Sequence, residues 1–593
     1  MKELTDCNGI PYPIYAIGTV TMCGTVEGAN PQGSVYMLKV EVTEENAQLP
    51  LAGQFYMLRA MKTGILLGRP ISIFHAEKTP HGVELQFLIL VKGKGTQELC
   101  ALEADDKIQL LGPLGNTFAK PEATDKVCIV GGGIGVAPVA GFSENLNPNT
   151  YDFYACFKSG SYGLENVKAK NLIITTDDGS VGTKGMVSAV LTAQKLKDEG
   201  YSVVYACGPT PMLAYIKAIC QEANVKCWIS MEARMACGMG VCLGCTIPTT
   251  EGYKRCCKDG PIFDGTILEF LKPVATVKRP PLTEEPDLSV EIAGVKFKNP
   301  LIGSSGTFGF GTEYAPLFDV NKLGGISSKG LTLEAKPGNT GLRLQETPSG
   351  LINSIGLENP GIRTFIEKKL PVMMNLKPVA IANLSGSSIE TYVEGAKLLD
   401  KTEIPMIELN ISCPNVKAGG MAFGLDPQAA FEVTNAVRKA TSKPLIVKLS
   451  PNAPDLKSIA FAVIKAGADA ISLVNTFQAM AIDVEKEQFI FDNIKAGLAG
   501  PAIKPIALRM VYDICCAIKT LPQEKQVPVI GLGGISTWQD AVEFILAGAD
   551  AIQVGTSIFA NPNCLKEIIQ GLYNWMERKG YSSISEFKGK MLK

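Results

Sequence analysis

Short apolar runs recur along the whole chain, and the spacers between them change character from one region to the next. Up to about residue 122, β-rich runs such as SVYMLKVEV and VELQFLILV alternate with glycine turns, which predicts a small antiparallel β-barrel. Over 123–225 the runs KVCIVGGG, YDFYACF, NLIITTDD and YSVVYACG alternate with helical stretches, which favours an open parallel sheet. The pattern thus predicts two domains, 1–122 and 123–225, followed by a cysteine-rich module over 226–271.

A proline-rich segment, KPVATVKRPPLTEEP, has no helical or strand period and predicts a linker over 272–287. Beyond it, over 288–593, eight strand-like runs alternate with helical stretches: NPLIGSSG, GGISSKG, PVAIANLSG, MIELNISC, PLIVKLSP, AISLVNT, PVIGLGG and AIQVGTS. Eight such repeats favour a (β/α)8 TIM barrel, with a doubly wound sheet as the alternative. In that barrel the polar residues that end the runs would meet at one face.

Length and composition exclude several classes of protein. A chain of 593 residues is long enough for three or four domains, and 57 Lys plus Arg balance 58 Asp plus Glu. That balance gives no basic field for nucleic acid or an anionic membrane surface, and no apolar run is long enough to span a bilayer. The opening MKELTDCNG has no signal-peptide pattern. We therefore expect a cytoplasmic protein that binds neither nucleic acid nor a membrane.

The chain has two histidines and seventeen cysteines. Because no histidine follows His81, His-ligated zinc and His general bases are excluded from the last 512 residues. His75 alone is better explained as a surface or packing residue than as a catalyst. The large size and odd cysteine count favour a reducing compartment, in which most thiols are structural.

Three cysteines, Cys237, Cys242 and Cys245, have C-x4-C-x2-C spacing. This is the spacing of a plant-type iron–sulfur site, and a later cysteine would complete the ligand set of a 2Fe-2S cluster. By spacing alone, Cys256 and Cys257 compete for the fourth place. A zinc site of four cysteines is the alternative.

Glycine-rich loops follow two strands of the predicted parallel sheet. The motifs GGGIGVAP and CGPTPML would let a pyrophosphate approach backbone N–H groups, although simple glycine turns are the alternative. Together they predict a nicotinamide site formed by Gly131, Gly132, Gly133, Gly135, Cys207, Gly208 and Pro209.

The preceding barrel carries GRPISIF and VKGKGT, which suit a flavin diphosphate. They offer a cation, hydroxyl groups and glycine N–H groups, from Arg69, Pro70, Ile71, Ser72, Gly93, Gly95 and Thr96.

The predicted barrel of the second half gathers amides and a thiol at its strand ends. Cysteine alone is more often structural, but Asn410, Cys413 and Asn415 together at one strand end favour a site. Further amides and a hydroxyl come from Asn353, Asn383, Asn475 and Thr476. Such groups match a pyrimidine-like ring, although capping of strand ends would use them too.

A flavin mononucleotide would suit the remaining strand ends. GLGGIS and QVGTSIF follow the seventh and eighth runs, the usual phosphate position of this barrel. Lys329 and Lys448 would place positive charge beside the flavin, unless they form structural salt bridges.

The whole set resembles class 1B dihydroorotate dehydrogenase. Residues 10–270 resemble its electron-transfer subunit through GRPISI, GKGT, GGGIGVAP, CGPTPML and the cysteine pattern, and 288–590 resemble its catalytic subunit through SSGTFGFG, NSIGLENPG, ELNISCPNVK, VKLSPN, GLAGPA, GLGGIS and VGTSIF. The family usually has two chains, whereas both lie here in one. The residues that flank SSKG and GLAGPA also differ from the family pattern. The resemblance therefore implies the substrate less strictly than it implies the fold and the named site residues.

The resemblance implies that dihydroorotate is oxidised to orotate in pyrimidine synthesis, with electrons passing from FMN through the 2Fe-2S cluster and FAD to NAD+. It implies that Cys413 takes the C5 proton while hydride leaves C6, that Cys257 is the fourth cluster ligand, and that the barrel forms a homodimer. The implied substrate contacts are Lys329, Asn353, Ser354, Ile355, Gly356, Leu357, Asn410, Asn415, Asn475 and Thr476. The implied FMN contacts are Ser305, Lys329, Gly330, Asn383, Asn410, Lys448, Val474, Gly500, Gly533, Gly534, Gly555 and Thr556.

Two other functions remain open on the sequence. A dihydropyrimidine dehydrogenase would join the same kinds of module to act on uracil or thymine. A redox-sensing binding protein would use the flavins and the cluster to regulate a partner.

Overall fold

A computed structural model describes residues 12–29, 35–43, 47–61, 65–270, 279–412 and 423–593. The chain divides into two compact units, Met1–Ala275 and Thr276–Lys593, and the division falls within the segment expected to be a linker. Within the described ranges, no helix is both long and apolar enough to cross a lipid bilayer.

The first unit begins with a curled antiparallel sheet of seven strands, in the order β4-β3-β7-β1-β2-β6-β5. Buried and half-buried residues alternate along β2 and β6, because successive side chains of a strand point to opposite faces. The inward residues form an apolar core that includes Leu38, Leu58 and Phe87. The elements are β1 (Ile14–Thr25), β2 (Val35–Val42), β3 (Phe55–Ala60), β4 (Arg69–Ser72), β5 (His75–Thr79), β6 (Gly82–Leu90), α1 (Lys94–Cys100) and β7 (Lys107–Leu114).

A second sheet follows, in the order β11-β10-β9-β8-β12-β13-β16, and only β16 runs antiparallel to its neighbour. Its central strands are mostly apolar, with the buried Asp152 of Tyr151–Phe157 as an exception, because helices cover both faces. The elements are β8 (Val127–Gly132), α2 (Val136–Ser143), β9 (Tyr151–Phe157), β10 (Asn171–Thr176), β11 (Thr183–Lys184), α3 (Ala193–Asp198), β12 (Val203–Cys207), α4 (Thr210–Ala223), β13 (Lys226–Ser230), β14 (Thr246–Ile247), β15 (Lys254–Arg255) and β16 (Ile262–Asp264).

The second unit is a closed barrel of eight parallel strands, in the order β19-β20-β23-β24-β25-β26-β31-β32. The prediction of a TIM barrel is confirmed, and each of the eight predicted runs contains one barrel strand. The strands of the unit are β17 (Val290–Ile292), β18 (Val295–Phe297), β19 (Leu301–Gly303), β20 (Gly325–Ser327), β21 (Leu344–Thr347), β22 (Gly350–Asn353), β23 (Val379–Leu384), β24 (Met406–Asn410), β25 (Leu445–Lys448), β26 (Ala470–Leu473), β27 (Phe477–Ala479), β28 (Ile482–Asp483), β29 (Gln488–Phe489), β30 (Ala496–Ala499), β31 (Val529–Leu532) and β32 (Ala551–Val554).

Amphipathic helices pack around the barrel, and several start at a side-chain cap. Ser388, Asp426 and Thr537 each accept a hydrogen bond from a backbone N–H in the first turn of the following helix. The helices are α5 (Ile362–Thr364), α6 (Leu370–Met374), α7 (Ile389–Asp400), α8 (Pro427–Arg438), α9 (Leu456–Lys465), α10 (Lys504–Lys519), α11 (Trp538–Leu546), α12 (Ser557–Ala560) and α13 (Cys564–Lys579). A small antiparallel sheet, β21-β22-β30-β27, is formed by insertions that follow barrel strands.

Candidate functional site

A cavity of about 390 Å³ opens among the loops that follow the barrel strands. Asn410 ends β24, Lys448 ends β25, and Gly555 follows β32, so parallel strands bring residues distant in sequence to one face. The predicted residues that line the cavity are Ser305, Lys329, Gly330, Asn353, Ile355, Gly356, Leu357, Asn410, Lys448, Val474, Asn475, Thr476, Gly500, Gly533, Gly534, Gly555 and Thr556. The tertiary structure therefore gathers most of the predicted substrate and flavin residues around one space.

Two described residues of the predicted set do not line this cavity, and two others lie outside the described residues. Ser354 is 2% exposed, and its hydroxyl accepts a hydrogen bond from Asn339 at 3.0 Å. Asn383 is fully buried behind the wall and donates to Glu408 at 2.6 Å. Cys413 and Asn415 lie outside the described residues, and Cys413 follows Ser412 directly in the chain.

Hydrogen bonds order the amides that face the cavity. The Asn475 amide donates to Ser412 Oγ at 2.8 Å, and Ser412 Oγ donates to Asn410 Oδ1 at 3.0 Å. Tyr392 donates its hydroxyl to the Asn410 carbonyl at 2.8 Å, which fixes the strand end. Amides that are held in this way keep a fixed pattern of donors and acceptors toward a bound ring.

The loop after β22 is held in an unusual backbone conformation. Gly356 and Leu357 both have positive φ, of 75° and 57°, and a positive φ is unfavourable for leucine. The Asn359 side chain makes four hydrogen bonds, to Leu357 O, to Thr332 Oγ1 and from the N–H groups of Thr332 and Gly361. Strain that is over-determined by surrounding contacts is typical of functional sites.

A buried carboxylate, Glu408, lies beneath the cavity and was not predicted. It accepts hydrogen bonds from Ser327, Asn383, Ser472 and Gln553 at 2.6 to 2.9 Å, all within the barrel. Lys448 Nζ lies 4.0 Å from it, so Lys448 has a structural ion pair and also lines the cavity. Burial opposes ionisation of Glu408, but the Lys448 charge and the hydrogen bonds hold its pKa below its ordinary value.

Three glycines in the cavity wall, after β30 and β31, would let a flavin phosphate approach the backbone closely. Gly500, Gly533 and Gly534 have φ of 94°, 127° and 72°. A Cβ on Gly534 would lie 2.7 Å from the Lys504 backbone nitrogen, so only glycine fits there. Backbone N–H groups, fixed cations and amides are the donor set that FMN requires, and the residues present fit it.

Sequence reasoning also missed Gln553, Ser557, Thr307 and Phe559 in the cavity wall. Gln553 could have been found, because it lies one residue before the end of β32, within a run that otherwise is apolar. A polar residue in the middle of such a run is an exception to barrel cores, which are mostly branched and apolar.

In the first unit, a second cavity of about 210 Å³ is lined by part of the predicted flavin set. The predicted residues on its wall are Arg69, Pro70, Ile71, Ser72, Thr96, Gly135 and Cys207. The two predicted motifs meet here, since a Cβ on Gly95 would lie 2.2 Å from Arg69 Nε. Thr96 Oγ1 accepts from the N–H groups of Lys92 and Gly93, which shapes the turn.

The glycine loops of the parallel sheet also lie together. A Cβ on Gly135 would be 2.6 Å from the Gly208 backbone nitrogen, so GGGIGVAP and CGPTPML are in direct contact. Burial raises the pKa of the Cys207 thiol to about 12. The remaining predicted residues, Gly93, Gly95, Gly131, Gly132, Gly133, Gly208 and Pro209, are not on the cavity wall.

The predicted cysteines lie in a loop shaped by glycines, of which Gly238 and Gly240 have φ of 69° and 79°. The Cys242 N–H donates to Cys237 Sγ at 3.4 Å, and the Cys257 N–H donates to Cys245 Sγ at 3.4 Å. Among the described residues, no three His, Cys, Asp or Glu side chains form a group suited to one metal ion. A two-iron cluster takes two cysteines at each iron, and the four predicted cysteines of this loop supply that number of ligands.

Cys256 and Cys257 differ in what their sulfurs contact. Cys256 Sγ donates to the Met231 carbonyl at 3.2 Å, whereas Cys257 Sγ accepts from the Gly240 N–H at 3.1 Å. At Cys237, burial opposes the thiolate, but N–H groups of the loop lower its pKa to about 6. At Cys257, burial and the neighbouring Cys245 raise the thiol pKa to about 12, and the Gly240 N–H lowers it; this N–H contact, which Cys256 lacks, favours Cys257 as the fourth ligand.

His75 Nδ1 lies 2.7 Å from Glu144 Oε2, in a surface ion-pair geometry. It does not line the cavity of the first unit, in keeping with a packing or surface role.

Two family models match the chain. The model described as dihydroorotate dehydrogenase matches residues 287–576, in the second unit. The model described as the iron-sulfur cluster binding domain of dihydroorotate dehydrogenase B matches 232–269, in the first unit.

Known proteins are similar to about half of the chain. It is 54% identical over 303 residues to the "Dihydroorotate dehydrogenase B (NAD(+)), catalytic subunit" of Petrotoga mobilis, which covers 51% of this chain and 99% of that protein. It is 50% identical over 309 residues to the protein of the same name from Geotalea uraniireducens, covering 52% of this chain and 99% of that protein. A crystal structure of DHODH in complex with ferulenol from Eimeria tenella is similar at 20% identity and a TM-score of 0.44, covering 53% of this chain and 91% of that chain.

Proposed function

This chain belongs to the dihydroorotate dehydrogenase family, class 1B, with an iron–sulfur domain and a catalytic barrel in one chain, and we propose that it oxidises dihydroorotate to orotate in pyrimidine synthesis and delivers the electrons to NAD+. The proposal covers the full path from the barrel through the first unit. When bound, FMN accepts hydride, a 2Fe-2S cluster carries single electrons and FAD exchanges hydride with NAD+.

The observation that carries the proposal is the set of side chains around the 390 Å³ cavity of the barrel. Asn353, Asn410 and Asn475 offer amide donors and acceptors to the alternating N–H and C=O groups of a dihydropyrimidine ring. Lys329 offers a cation to the carboxylate that dihydroorotate carries and dihydrouracil lacks. The cavity therefore suits an acidic dihydropyrimidine.

Cys413 is proposed to take the C5 proton. A thiol with an ordinary pKa of ~8.5 becomes a useful base when a cation or N–H groups stabilise its thiolate. The chain offers no histidine to replace it in this unit. Asn410 and Asn475 would orient the ring, and both are hydrogen-bonded to Ser412, the residue before Cys413 in the chain.

Each further cofactor has a proposed set of protein contacts. The three glycines in the cavity wall after β30 and β31, together with Lys448, would hold FMN in the barrel, and Cys237, Cys242, Cys245 and Cys257 would hold the cluster. FAD would bind along Arg69 to Ser72 and Thr96, and NAD+ at the glycine loops beside Gly135 and Cys207. The domain ranges 1–122, 123–225 and 226–271 would correspond to the FAD, NAD+ and cluster modules, followed by the linker 272–287 and the barrel 288–593.

Anaerobic mixing of the purified chain with dihydroorotate tests the proposal. We expect dihydroorotate to bleach the flavin and cluster absorbance, and subsequent NAD+ to restore it with formation of NADH. Dihydrouracil is the matched comparison, because it keeps the ring and lacks the carboxylate. Bleaching by dihydrouracil alone would refute the proposed substrate, and recovery with NADP+ alone would refute the proposed acceptor.

We also propose that the barrel forms a homodimer, as the family resemblance implies. Light scattering of the purified chain tests this, and a monomeric mass at micromolar concentration would exclude it.

A further inference from the structure

The interior of the barrel changes from apolar to polar along its strands. Ile381, Met406 and Ile446 form part of a buried apolar layer. Two residues further along the same strands stand Asn383, Glu408 and Lys448, which therefore share the inward face. This polar layer lies between the buried apolar layer and the cavity.

Glu408 is the hub of this layer. Oε1 accepts from Ser472 Oγ and Gln553 Nε2, both at 2.8 Å. Oε2 accepts from Ser327 Oγ at 2.9 Å and Asn383 Nδ2 at 2.6 Å. Four hydrogen bonds use about all the acceptor sites of a carboxylate, so this group is fully satisfied by side chains of other strands.

Three of the contacts of Glu408 lead to the cavity. Lys448 lines the cavity and has its Nζ 4.0 Å from Glu408, its one ion-pair partner among the described residues. Gln553 lines the cavity as well. Asn383 passes the contact on, because its Oδ1 accepts from Asn410 Nδ2 at 3.3 Å.

A buried charge pair of this kind contributes little to stability by itself. Removing two charges from water costs several kcal/mol per ion, and apolar residues of similar volume often do as well. Lys448 is 4% exposed and Glu408 fully buried, so each charge depends on the other. A pair with this cost, placed directly beneath a ligand cavity, points to a functional role.

We propose that Glu408 is a positioning residue of the flavin site, whose carboxylate holds the Lys448 ammonium group at the cavity wall and fixes Asn410 through Asn383. The inference rests on the proposed binding of FMN in the barrel. It assigns Glu408 an indirect effect: without its carboxylate, Lys448 has no ion-pair partner among the described residues, and its ammonium group is no longer held beside the flavin.

An indirect effect through Lys448 and a direct effect of the carboxylate change the relative affinity for reduced and oxidised FMN in opposite directions. If Glu408 acts through Lys448, loss of the Glu408 charge removes positive charge beside the flavin. Reduced, anionic FMN then binds less well relative to oxidised FMN. If Glu408 acted directly as a negative charge, its neutralisation would favour the reduced form. A merely structural carboxylate would change the affinity for both forms equally.

Equilibrium dialysis of the full-length chain distinguishes these cases. Oxidised FMN and dithionite-reduced FMN are dialysed separately under argon, and FMN is separated from FAD by chromatography before it is quantified. For Glu408→Gln we expect the ratio of the dissociation constants, reduced over oxidised, to rise at least about tenfold, which equals a fall of about 30 mV for a two-electron couple. Lys448→Met should raise the ratio by a similar factor.

The double variant Glu408→Gln/Lys448→Met gives the decisive comparison. A buried carboxylate that has lost its cation takes up a proton, so glutamine in its place should change the ratio less than about threefold from Lys448→Met alone. The matched control is Ser472→Ala, which removes one hydrogen bond and keeps the charge pair, and its ratio should stay within about threefold of wild type. If Glu408→Gln does not fold, the pair of Lys448→Met and the double variant still decides.

A ratio that falls or stays unchanged in Glu408→Gln overturns the inference, as does a further tenfold change between Lys448→Met and the double variant. Failure of the proposed function looks different: a wild-type chain that binds FMN but is not bleached by dihydroorotate refutes the substrate and leaves the dialysis result standing.

Discussion

Replacement of Asn359 by alanine tests how the structure holds the loop after β22, which contains Gly356 and Leu357 and is proposed to bind the substrate. Asn359 is 6% exposed, and its side chain lies between the loop of Leu357 and Thr332, near the start of the loop after β20. It donates to Leu357 O at 2.7 Å and Thr332 Oγ1 at 2.9 Å, and it accepts from the N–H groups of Thr332 at 3.1 Å and Gly361 at 2.9 Å. Alanine removes all four hydrogen bonds without adding bulk.

The magnitude follows from what the substitution leaves behind. Four hydrogen bonds at about 1 kcal/mol each amount to about 4 kcal/mol, and more if the loop cannot relax and leaves buried groups without partners. The loop can relax, because the left-handed conformation of Leu357 costs about 1–3 kcal/mol and is no longer held. If 1–3 kcal/mol of transition-state binding is lost, kcat/KM for dihydroorotate falls by about 5- to 150-fold.

Steady-state kinetics with dihydroorotate and an artificial dye measure this effect. We expect KM to rise more than kcat falls, because the loop is proposed to bind the substrate and not to carry a reacting group. NADH oxidation by a dye should remain at the wild-type rate, since it is proposed to use the first unit. The matched control is Asn299→Ala, a buried asparagine at the opposite end of β19 that bonds Lys322 O and Leu301 N–H.

The control should lower thermal stability and leave KM near wild type. An unchanged KM in a folded Asn359→Ala chain would refute the reasoning that the asparagine holds the loop. An equal rise of KM in both variants would show a general loss of stability rather than a local one.

Three further predictions concern the thiols and the buried carboxylate. Cys413→Ala should abolish reduction of FMN by dihydroorotate while NADH–dye activity persists, and loss of both activities in a folded chain would contradict this division. Cys257→Ser should lose the visible absorbance of the cluster and Cys256→Ser should keep it, because only the Cys257 sulfur accepts a loop N–H; the reverse result would reassign the ligand. The pKa of Glu408 is held below its ordinary value of 4.5, so its contribution to stability is present above that value and is lost as the pH falls through the lowered pKa. Retention of FMN, measured by filtration, should therefore be constant from about pH 8 to 5, and a loss of Glu408-dependent retention within that range would refute the assignment.

The sequence determined the elements and most of the residues that face the barrel cavity. Each of the eight apolar runs became one barrel strand, since a short β-branched run between glycines has few other ways to bury its surface. Because parallel strands end on the same face, Asn410, Lys448 and Asn475 could be expected together before their distances were known.

The cysteine spacing also carried much of the information for its module. A C-x4-C-x2-C loop is short enough that local backbone geometry brings Cys242 to Cys237, whose sulfur accepts the Cys242 N–H. Spacing could not separate Cys256 from Cys257, because neighbouring residues are equally distant along the chain. The direction of each side chain separates them, and direction depends on contacts with Met231 and Gly240.

Only the tertiary structure decided what Glu408 and Asn359 do. The sequence marks Glu408 as a lone acid in the run MIELN, but its partners Ser327, Ser472 and Gln553 are 81, 64 and 145 residues away. Periodicity tells which face of a strand a residue occupies, and it says nothing of which strands close around it. Barrel closure supplies that information, because it alone places side chains of five other strands around one carboxylate and converts a costly buried charge into a fully bonded one.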